Sequence, residues 1–331
     1  MGVSGAFAWV PGWDGEGKHM KFASLFTGGD GVGIAAHQAM GFELAWGIEL
    51  VDWIADTANR NLGNHVITAN VLDCDPHDFE PVDFLHASPP CPNFSNAKTG
   101  GEETEDDKRL ARKVAEFVQV LQPRFFTLEN VLQYRKSQSW QIIYDALEGL
   151  GYFVYSDNVN SADYGVPQTR RRFIVRATRT FLPPLPRPQR WVSWYEAIED
   201  LIPGLPDSQL APWQVKALKR GGAIGAHVMI DGHNSHTASG ARIYKAGDEP
   251  AMSATADPHP NKIFDGYICK RTTPRCLARF QTIPDWYDFG DLSATRQIKI
   301  IGNAVPPKLM EAVFGTMDPQ NSRPAAMWDA R

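Results

Sequence analysis

The sequence predicts an α/β protein built on a doubly wound, mostly parallel sheet, with a second and less regular region. Three observations lead to this prediction: apolar runs alternate with helical patterns from Lys21 to Ala177, glycines follow the first run, and periodicity weakens after Ala177. Strands that alternate with helices are typical of parallel sheets. In such sheets ligands bind beyond the carboxyl ends of the strands, so polar residues there are candidates for a site.

The individual elements follow from the spacing of apolar residues. Short apolar runs predict strands, and apolar residues three or four positions apart predict helices. The predicted strands are residues 22–26, 44–49, 66–71, 82–87, 125–128, 152–159 and 172–177. The predicted helices are residues 34–40, 52–61, 108–122, 139–150 (capped by Gly151), 191–202, 274–281 and 306–314.

The composition restricts the class of protein. The chain of 331 residues is 43% hydrophobic and 21% charged, which is typical of a globular protein rather than a disordered or fibrous one. No apolar run approaches the ~18 residues that cross a bilayer. The 4 cysteines show no CxxC spacing, so we expect no metal site, no disulfide framework and a reducing, cytoplasmic compartment. Because the net charge is −5, a nucleic acid would need a local basic surface.

The expected organisation has four segments. They are an N-terminal extension, a catalytic and cofactor-binding domain, a second region, and a return to the first domain, at residues 1–20, 21–180, 181–270 and 271–331. Residues 203–268 show no sustained period and are expected to be irregular, as a small second domain or a long elaborated loop region.

The glycine turn after the first strand indicates a ligand when it is combined with a later acid. Glycines let the backbone approach a ligand, and the next helix offers unpaired N–H groups. Gly31, Gly33 and Ala36 fit a loose dinucleotide fingerprint, although a tight turn without a ligand has the same pattern. Glu49 lies 18 residues after Gly31, near the distance expected for a ribose-binding acid. The pair of features indicates an adenosine-type ligand, either NAD-like or S-adenosylmethionine-like.

Residues after the second and third strands complete this expected adenosine site. Leu50 and Val71 would sandwich the adenine, and Asn70 would contact its exocyclic amine.

Cys91 is a candidate nucleophile. It lies between Pro90 and Pro92, which stiffen the backbone and fix the direction of the thiol. A cysteine past a strand end can meet free N–H groups that favour thiolate. The alternative is an inert packing cysteine. The polar segment 93–107 that follows is expected to be a mobile lid.

A carboxylate and an arginine-rich strand are the remaining candidates. Glu129 and Asn130 end an apolar strand, where a partly desolvated carboxylate suits holding and donating a proton; a salt bridge or helix cap is the alternative. If 168–172 is a strand, Gln168, Arg170 and Arg172 share one face. Arg172 would then reach a ligand carbonyl or Glu129. The acid-free stretch 164–195 supplies a local basic surface or a solubilising loop cluster.

Taken in order, these motifs resemble the DNA cytosine-5 methyltransferase family over roughly residues 22–177 and 271–315. FTGGDG resembles the family's cofactor turn, SPPCPNFS its Pro-Cys motif, ENV and QTRRR its other active-site motifs. RTTPRCLARFQTIPDWY at 271–287 is similar to the motif that supports the recognition domain, and IGNAVPP at 301–307 to the closing motif beside the cofactor turn. Departures include Asp30 for a common glycine, Asn70 for an aspartate, Pro92 for a glutamine and Cys276 for a glutamate.

The resemblance implies a Rossmann-like, S-adenosylmethionine-dependent fold in which residues 181–270 recognise the target. It implies catalytic roles for Cys91, Glu129, Arg172, Arg170, Pro90 and Asn130. It implies contacts to S-adenosylmethionine, or to the product S-adenosylhomocysteine, from Phe26, Thr27, Gly28, Gly29, Asp30, Gly31, Glu49, Leu50, Asn70, Val71, Pro89, Asn303, Ala304 and Val305. It implies DNA contacts from Ser95, Gln168, Arg171, Arg187, Arg190 and Arg242.

The implied reaction is methyl transfer to C5 of a cytosine flipped out of duplex DNA, through a covalent bond between Cys91 and C6. The implied setting is a bacterial or phage-encoded monomer that is associated with DNA in the cytoplasm, without a membrane partner. A companion restriction endonuclease is a further expected partner. Two other functions stay open from the residues alone. They are a nicotinamide-dependent oxidoreductase, which would leave Cys91 and QTRRR unexplained, and a DNA-binding relative without activity. A tRNA substrate is also left open.

Overall fold

A computed structural model describes residues 20–90, 103–223, 227–232, 242–257 and 259–317. Its strands up to residue 178 are β1 (Lys21–Leu25), β2 (Glu43–Glu49), β3 (Val66–Thr68), β4 (Phe84–Ala87), β5 (Phe125–Asn130), β6 (Phe153–Asn160), β7 (Gln168–Thr169) and β8 (Arg171–Thr178). All of them except β7 form one seven-stranded sheet with the order β3-β2-β1-β4-β5-β8-β6.

The order of the strands creates a crevice near the centre of the sheet. Strands β3, β2, β1, β4 and β5 are parallel, and β8 is antiparallel to its neighbours β5 and β6. The chain moves outward from β1 through β2 to β3, then returns to the other side of β1 with β4. This reversal separates the connections that leave β1 and β4, and it is where doubly wound sheets bind ligands. The predicted mostly parallel α/β sheet is thus confirmed.

Helices lie on both faces of this sheet, and others pack in the second region. They are α1 (Gly31–Ile34), α2 (Asp52–Leu62), α3 (Glu105–Leu121), α4 (Gln138–Gly149), α5 (Trp194–Ile198), α6 (Pro212–Arg220), α7 (Pro274–Phe280), α8 (Ala294–Asn303) and α9 (Pro307–Gly315), with a π-helical turn at Ala35–Ala39 and 3₁₀ turns at Val71–Asp73, Pro76–Asp78, Leu132–Lys136, Ser161–Tyr164 and Ile202–Gly204. One core cluster packs α3 and α4 on one face, and a second packs α1 and α9 on the other.

Helix α3 shows why the sequence folds locally as it does. Thr104 and Asp107 form a reciprocal capping box at its first turn, which satisfies backbone N–H groups that have no partner inside the helix. Ala111, Val114 and Val118 are fully buried on one stripe with helical spacing. The helix therefore begins at Glu105, three residues before the predicted start.

The second region is regular where the sequence predicted irregular structure. Strands β9 (Val228–Ile230), β10 (Ile243–Lys245), β12 (Lys262–Phe264) and β13 (Cys269–Arg271) form an antiparallel sheet, and β11 (Ala251–Met252) pairs with β7. Helix α6 packs against β9 and β10. The prediction of an irregular 203–268 is therefore wrong, because strands of two or three residues are too short to show a period. The predicted strand 66–71 also ends early, at Thr68.

Several expectations fall outside the described residues. They concern the N-terminal extension up to residue 19 and most of the expected lid, residues 93–102. Within the described ranges, no helix is long and apolar enough to cross a bilayer. The same ranges contain no group of three or more His, Cys, Asp or Glu side chains able to hold a metal ion.

A close backbone contact joins α8 to the second region. A Cβ atom on Gly302 would lie 2.2 Å from the carbonyl carbon of Thr255 and 2.3 Å from the amide nitrogen of Ala256. Both neighbours are backbone atoms, which cannot rotate away. Only glycine allows this approach.

We therefore predict that Gly302→Ala lowers the free energy of unfolding by about 1–3 kcal/mol, because the methyl group overpacks a backbone contact. Gly149→Ala is the matched control, since that helical glycine has no atom within 4 Å of its Cβ position. The control should be neutral or stabilise by about 0.5–1 kcal/mol. Urea unfolding of both variants tests the difference, and equal stabilities would contradict the contact.

Candidate active site

The glycine turn after β1 has a backbone conformation that only a few residue types tolerate. Gly28 has φ 61°, and Phe26 and Asp30 share the left-handed region with φ 61° and 57°. A Cβ on Gly31 would lie 2.4 Å from the carbonyl oxygen of Val305, so the closing segment packs directly on the turn. At Gly28, in contrast, a Cβ would meet nothing within 4 Å. The turn thus presents bare backbone to open space.

Glu49 ends β2 beside this turn, and its carboxylate is held by backbone groups. Oε2 accepts a hydrogen bond from the Gly28 N–H at 2.9 Å, and Oε1 accepts one from Val51 at 3.0 Å. A carboxylate has about four acceptor positions, so two remain for hydroxyl groups. Leu50 follows with 65% of its surface exposed, which is unusual for a leucine and suits an apolar ring lying against it.

Asn70 and Val71 follow β3 at the same edge of the sheet. The Asn70 side-chain oxygen accepts from the Leu72 N–H at 3.2 Å and caps a 3₁₀ turn. Val71 is 4% exposed and packs in the core under α3. Little of its surface therefore remains for the expected contact with adenine.

Asp30, expected to contact the cofactor, is 1% exposed and points into the protein. Its Oδ1 accepts from the Gly33 N–H at 2.8 Å, and its Oδ2 lies 2.8 Å from Nε2 of His65. The structure therefore gives Asp30 an internal partner, His65, that the sequence did not indicate.

Hydrogen bonds from His86 and Asn130 hold the end of β4 in place. His86 is fully buried, which lowers its pKa to about 3, and its neutral ring bonds Thr127 Oγ1 at 2.9 Å and Ser88 Oγ at 2.7 Å. Asn130 donates to the Pro89 carbonyl oxygen at 3.1 Å. Pro89 is buried and Pro90 is exposed. Cys91 and Ser95 lie outside the described residues.

Glu129 and Arg172 meet across β5 and β8. Arg172 Nε lies 2.7 Å from Glu129 Oε1, and both side chains are mostly buried. The contact lacks hydrogen-bond geometry, so Glu129 Oε1 is a buried oxygen without a hydrogen-bond donor among the described residues. Buried polar atoms are normally paired, and an orphan at a strand edge indicates a place for a ligand.

Gln168 and Arg170 do not share a surface with Arg172, because the strand is interrupted at Arg170 between β7 and β8. Gln168 is fully buried; it donates to Gln281 Oε1 at 2.6 Å and accepts from the Ala254 N–H at 2.8 Å. The expected DNA contact from Gln168 is therefore not available in this structure.

Arg170 is 3% exposed, and its guanidinium binds backbone carbonyl groups instead of facing Glu129. The bonds go to Ala254 at 2.9 Å, to Gly302 at 3.2 Å and to Ala304 at 3.1 Å. These carbonyls belong to the second region and to the closing segment, so Arg170 joins three parts of the chain rather than contacting a substrate. Asn303 is exposed between these partners, and Ala304 and Val305 are buried.

The remaining basic candidates differ in how available they are. Arg171 and Arg187 are exposed. Arg190 forms a two-pronged pair with Glu196, at 3.0 Å and 3.1 Å from the same nitrogen, and Arg242 lies over the Tyr244 ring at 5.6 Å. Among the described residues, neither Arg171 nor Arg187 forms a salt bridge with a carboxylate, so binding a phosphate would break no such pair.

The structure thus gathers the glycine turn, Glu49, Asn70, Pro89, Glu129 and Arg172 at one edge of the sheet, around the crevice between β1 and β4. Its direct acid–guanidinium pair matches the sequence interpretation that Arg172 reaches Glu129. His65, His86 and Gln281 were missed, because each acts through a partner distant in sequence. A contact between residues that are distant in sequence leaves no periodic pattern in a single sequence.

Comparisons with known proteins identify the family and the fold. A family model described as C-5 cytosine-specific DNA methylase matches residues 20–318. The chain is 26% identical over 329 residues to type II methyltransferase M1.HphI of Haemophilus parahaemolyticus, covering 89% of this chain and 85% of that protein. It is 27% identical over 315 residues to M.NlaX of Neisseria lactamica, covering 90% and 96%.

Solved structures show the same fold. The Dnmt2 methyltransferase of S. pombe superposes with a TM-score of 0.64 at 14% identity, covering 91% of this chain and 99% of that one. The methyltransferase EhMeth of Entamoeba histolytica gives 0.60 at 15% identity, covering 91% and 98%. With the family model matching most of the chain, the protein belongs to the C-5 cytosine-specific DNA methylase family and is an S-adenosylmethionine-dependent DNA cytosine-5 methyltransferase.

Proposed function

We propose that this methyltransferase acts on a cytosine flipped out of duplex DNA, with Cys91 as nucleophile and Glu129 and Arg172 as the groups that hold the pyrimidine. The observation that supports this most directly is the Glu129–Arg172 contact at 2.7 Å, next to the strand end that leads to Cys91. It places an acid and a cation side by side without satisfying the buried Glu129 oxygen.

The residues at the turn fit an adenosine cofactor. Gly28 leaves open space above the backbone, Glu49 keeps acceptor positions for the ribose hydroxyls, and Leu50 offers an exposed apolar side chain to the adenine. Phe26, Thr27, Gly29, Gly31, Asn70, Pro89 and the segment 303–305 would complete the site. When bound there, S-adenosylmethionine supplies an electrophilic methyl group on a sulfonium.

The proposed chemistry assigns one task to each residue. The Cys91 thiolate forms a bond to C6 of the ring, and the electron pair of the C5–C6 double bond becomes available at C5. Glu129 donates a proton to N3 or a hydrogen bond to it, which makes C6 electrophilic. The Arg172 guanidinium binds the O2 carbonyl and stabilises the charge that develops there. After methylation, a water molecule takes up the C5 proton, and the electron pair of the C5–H bond restores the C5–C6 double bond. The C6–sulfur bond then breaks, and its electron pair returns to Cys91 as a thiolate.

Three residues expected to be catalytic take supporting tasks in this proposal. Asn130 donates to the Pro89 carbonyl and so anchors the backbone two residues before Cys91. Arg170 holds the closing segment and the second region together. Pro90 stiffens the backbone directly before Cys91.

We further propose that the second region, residues 181–270, reads the target sequence and that exposed arginines bind phosphates. Arg171 and Arg187 are the first candidates, followed by Arg190 and Arg242. Phosphate contacts give affinity that falls steeply with salt. The type II names of the relatives support a companion restriction endonuclease, and their bacterial sources support a cytoplasmic setting.

The proposed nucleophile predicts a specific loss of function. DNA from cells that express the chain should carry 5-methylcytosine at a recurring short sequence, and Cys91→Ser should abolish it, because the covalent bond to C6 cannot form. Sequencing that maps 5-methylcytosine is the measurement. Cys269→Ser is the matched control and should keep the modification. A fully active Cys91→Ser protein would refute the assignment, and modification of tRNA but not DNA would refute the substrate.

A trapping experiment tests the covalent step itself. In a duplex with 5-fluorocytosine at the mapped site, no C5 proton is present to be lost, so Cys91 should remain bonded to C6. The wild-type protein and the Cys269→Ser control should form an adduct that survives denaturation, and Cys91→Ser should form none.

The acid–guanidinium pair predicts a loss of rate rather than of binding. Glu129→Gln should lower kcat by about 10²- to 10⁴-fold because it cannot supply the proton. Arg172→Lys should lower kcat by about 10²- to 10³-fold because an ammonium lacks the planar fork. The matched control is Glu148→Gln, an exposed glutamate on α4. Single-turnover rates with saturating DNA and cofactor test this. A normal rate for Glu129→Gln would remove Glu129 from the mechanism.

A further inference from the structure

We propose that Asp30 and His65 are positioning residues: they form a buried charged pair that holds the glycine turn in its cofactor-binding conformation. This inference rests on the assignment of the turn to S-adenosylmethionine in the proposed function. It concerns a residue where this chain departs from the family pattern, together with a histidine that belongs to none of the motifs.

Asp30 fixes the conformation of the turn through its side chain. It has φ 57°, and its own N–H donates to the Thr27 carbonyl at 3.1 Å, which closes the turn. Its Oδ1 accepts from the Gly33 N–H at the start of α1. A Cβ on Gly33 would lie 2.1 Å from Asp30 Oδ2, so this carboxylate fills the space that a side chain at 33 would need. Aspartate tolerates the left-handed region, and the hydrogen bond from its side chain to the start of α1 stabilises that conformation.

His65 is positioned to be an imidazolium. Its Nδ1 lies 2.8 Å from the Gly63 carbonyl oxygen, and its Nε2 lies 2.8 Å from Asp30 Oδ2. Both partners are acceptors, and both ring nitrogens donate only when the ring carries two protons. Burial opposes the charge, but the hydrogen bond and the charge of Asp30 outweigh burial, so the pKa of His65 is raised above its ordinary value. The ring and the carboxylate are 7% and 1% exposed, which leaves little water to screen the pair.

The pair connects the two halves of the proposed cofactor site. His65 lies between α2 and β3, and its carbonyl oxygen accepts from the Gly47 N–H of β2 at 2.9 Å. Its own N–H is held by Asn59 Oδ1 at 3.1 Å. β2 leads to Glu49, and β3 leads to Asn70. Asp30 thus ties the turn to the strands whose ends would hold the ribose and the adenine.

The other ionisable groups near the pair are Tyr287 and Arg60. The Tyr287 hydroxyl donates to the Gly29 carbonyl at 2.7 Å, and burial together with the charge of Asp30 raises the pKa of Tyr287. It therefore remains a neutral donor. Arg60 is the positive charge that faces Tyr287, with its guanidinium packed against Gly290. Of the groups around Asp30, His65 is the one that loses its charge first as pH rises.

The sign of the pH effect follows from the raised pKa. The interaction is complete while His65 is protonated and is lost as pH rises through the pKa of His65 in the folded protein. We therefore expect cofactor affinity in this chain to depend on pH through His65.

The test measures the dissociation constant of S-adenosylhomocysteine by calorimetry. Asp30→Asn and His65→Gln should each weaken binding by about tenfold, and the double variant should be no weaker than either single variant, since both remove one interaction. Asp75→Asn and His77→Gln are matched controls, because Asp75 and His77 form an exposed Asp–His pair elsewhere. They should leave the constant unchanged.

The second arm varies pH, with thermal stability and DNA affinity measured in parallel. Wild-type affinity for S-adenosylhomocysteine should fall from neutral to alkaline pH, and His65→Gln should remove that fall. A fall that persists in His65→Gln, additive effects in the double variant, or equal losses in cofactor and DNA affinity would overturn the inference. Glu49→Gln separates the two proposals: if it binds normally, the cofactor assignment fails, whereas weak binding by Glu49→Gln with normal Asp30 and His65 variants refutes only the pair.

Discussion

The reversal of strand order between β1 and β4 is the constraint on which the rest of the site depends. Parallel strands send their carboxyl ends to one edge, so the turn after β1, the Pro89 end of β4 and Glu129 on β5 must meet there. Connections that leave β1 and β4 in opposite directions keep the crevice between them open. A cofactor on the β2 side and a pyrimidine on the β5 side is the arrangement that we propose for this edge.

Buried polar side chains fix the position of the second region, which the sheet alone does not determine. Arg170 and Gln168 lie at a break between two strands and direct their hydrogen bonds to Ala254, Ala304 and Gln281. A buried guanidinium without partners would be strongly destabilising, so these carbonyls must stay in place while the protein is folded. The edge with Glu129 and Arg172 thus keeps a fixed relation to the closing segment beside the cofactor turn and to residue 254 of the second region.

The sequence predicted the sheet well because each of its long strands and helices has its own period. It failed where partners are remote. Strand alternation placed Gln168, Arg170 and Arg172 on one face, but Gln168 and Arg170 are buried and bond to backbone groups more than 80 residues away. It also failed for β9 to β13, whose strands of two or three residues are too short to show alternation. Strand alternation left Arg172 to reach either a ligand carbonyl or Glu129, and in the structure it contacts Glu129. No pattern indicated His65, since its role depends on one carboxylate 35 positions earlier.

The contact between Glu129 and Arg172 also bears on how a pyrimidine could be bound without a large desolvation cost. Each group alone would be an uncompensated charge at a mostly buried position, and together they neutralise each other. Because the contact lacks hydrogen-bond geometry, Glu129 Oε1 keeps its acceptor capacity. In the proposed mechanism the exocyclic amine of cytosine would donate to this oxygen, while N3 accepts from the acid and O2 accepts from the guanidinium, which adds directed bonds to groups that are already desolvated. In that proposal, binding energy that would otherwise offset the desolvation of two separate ions would instead stabilise the transition state.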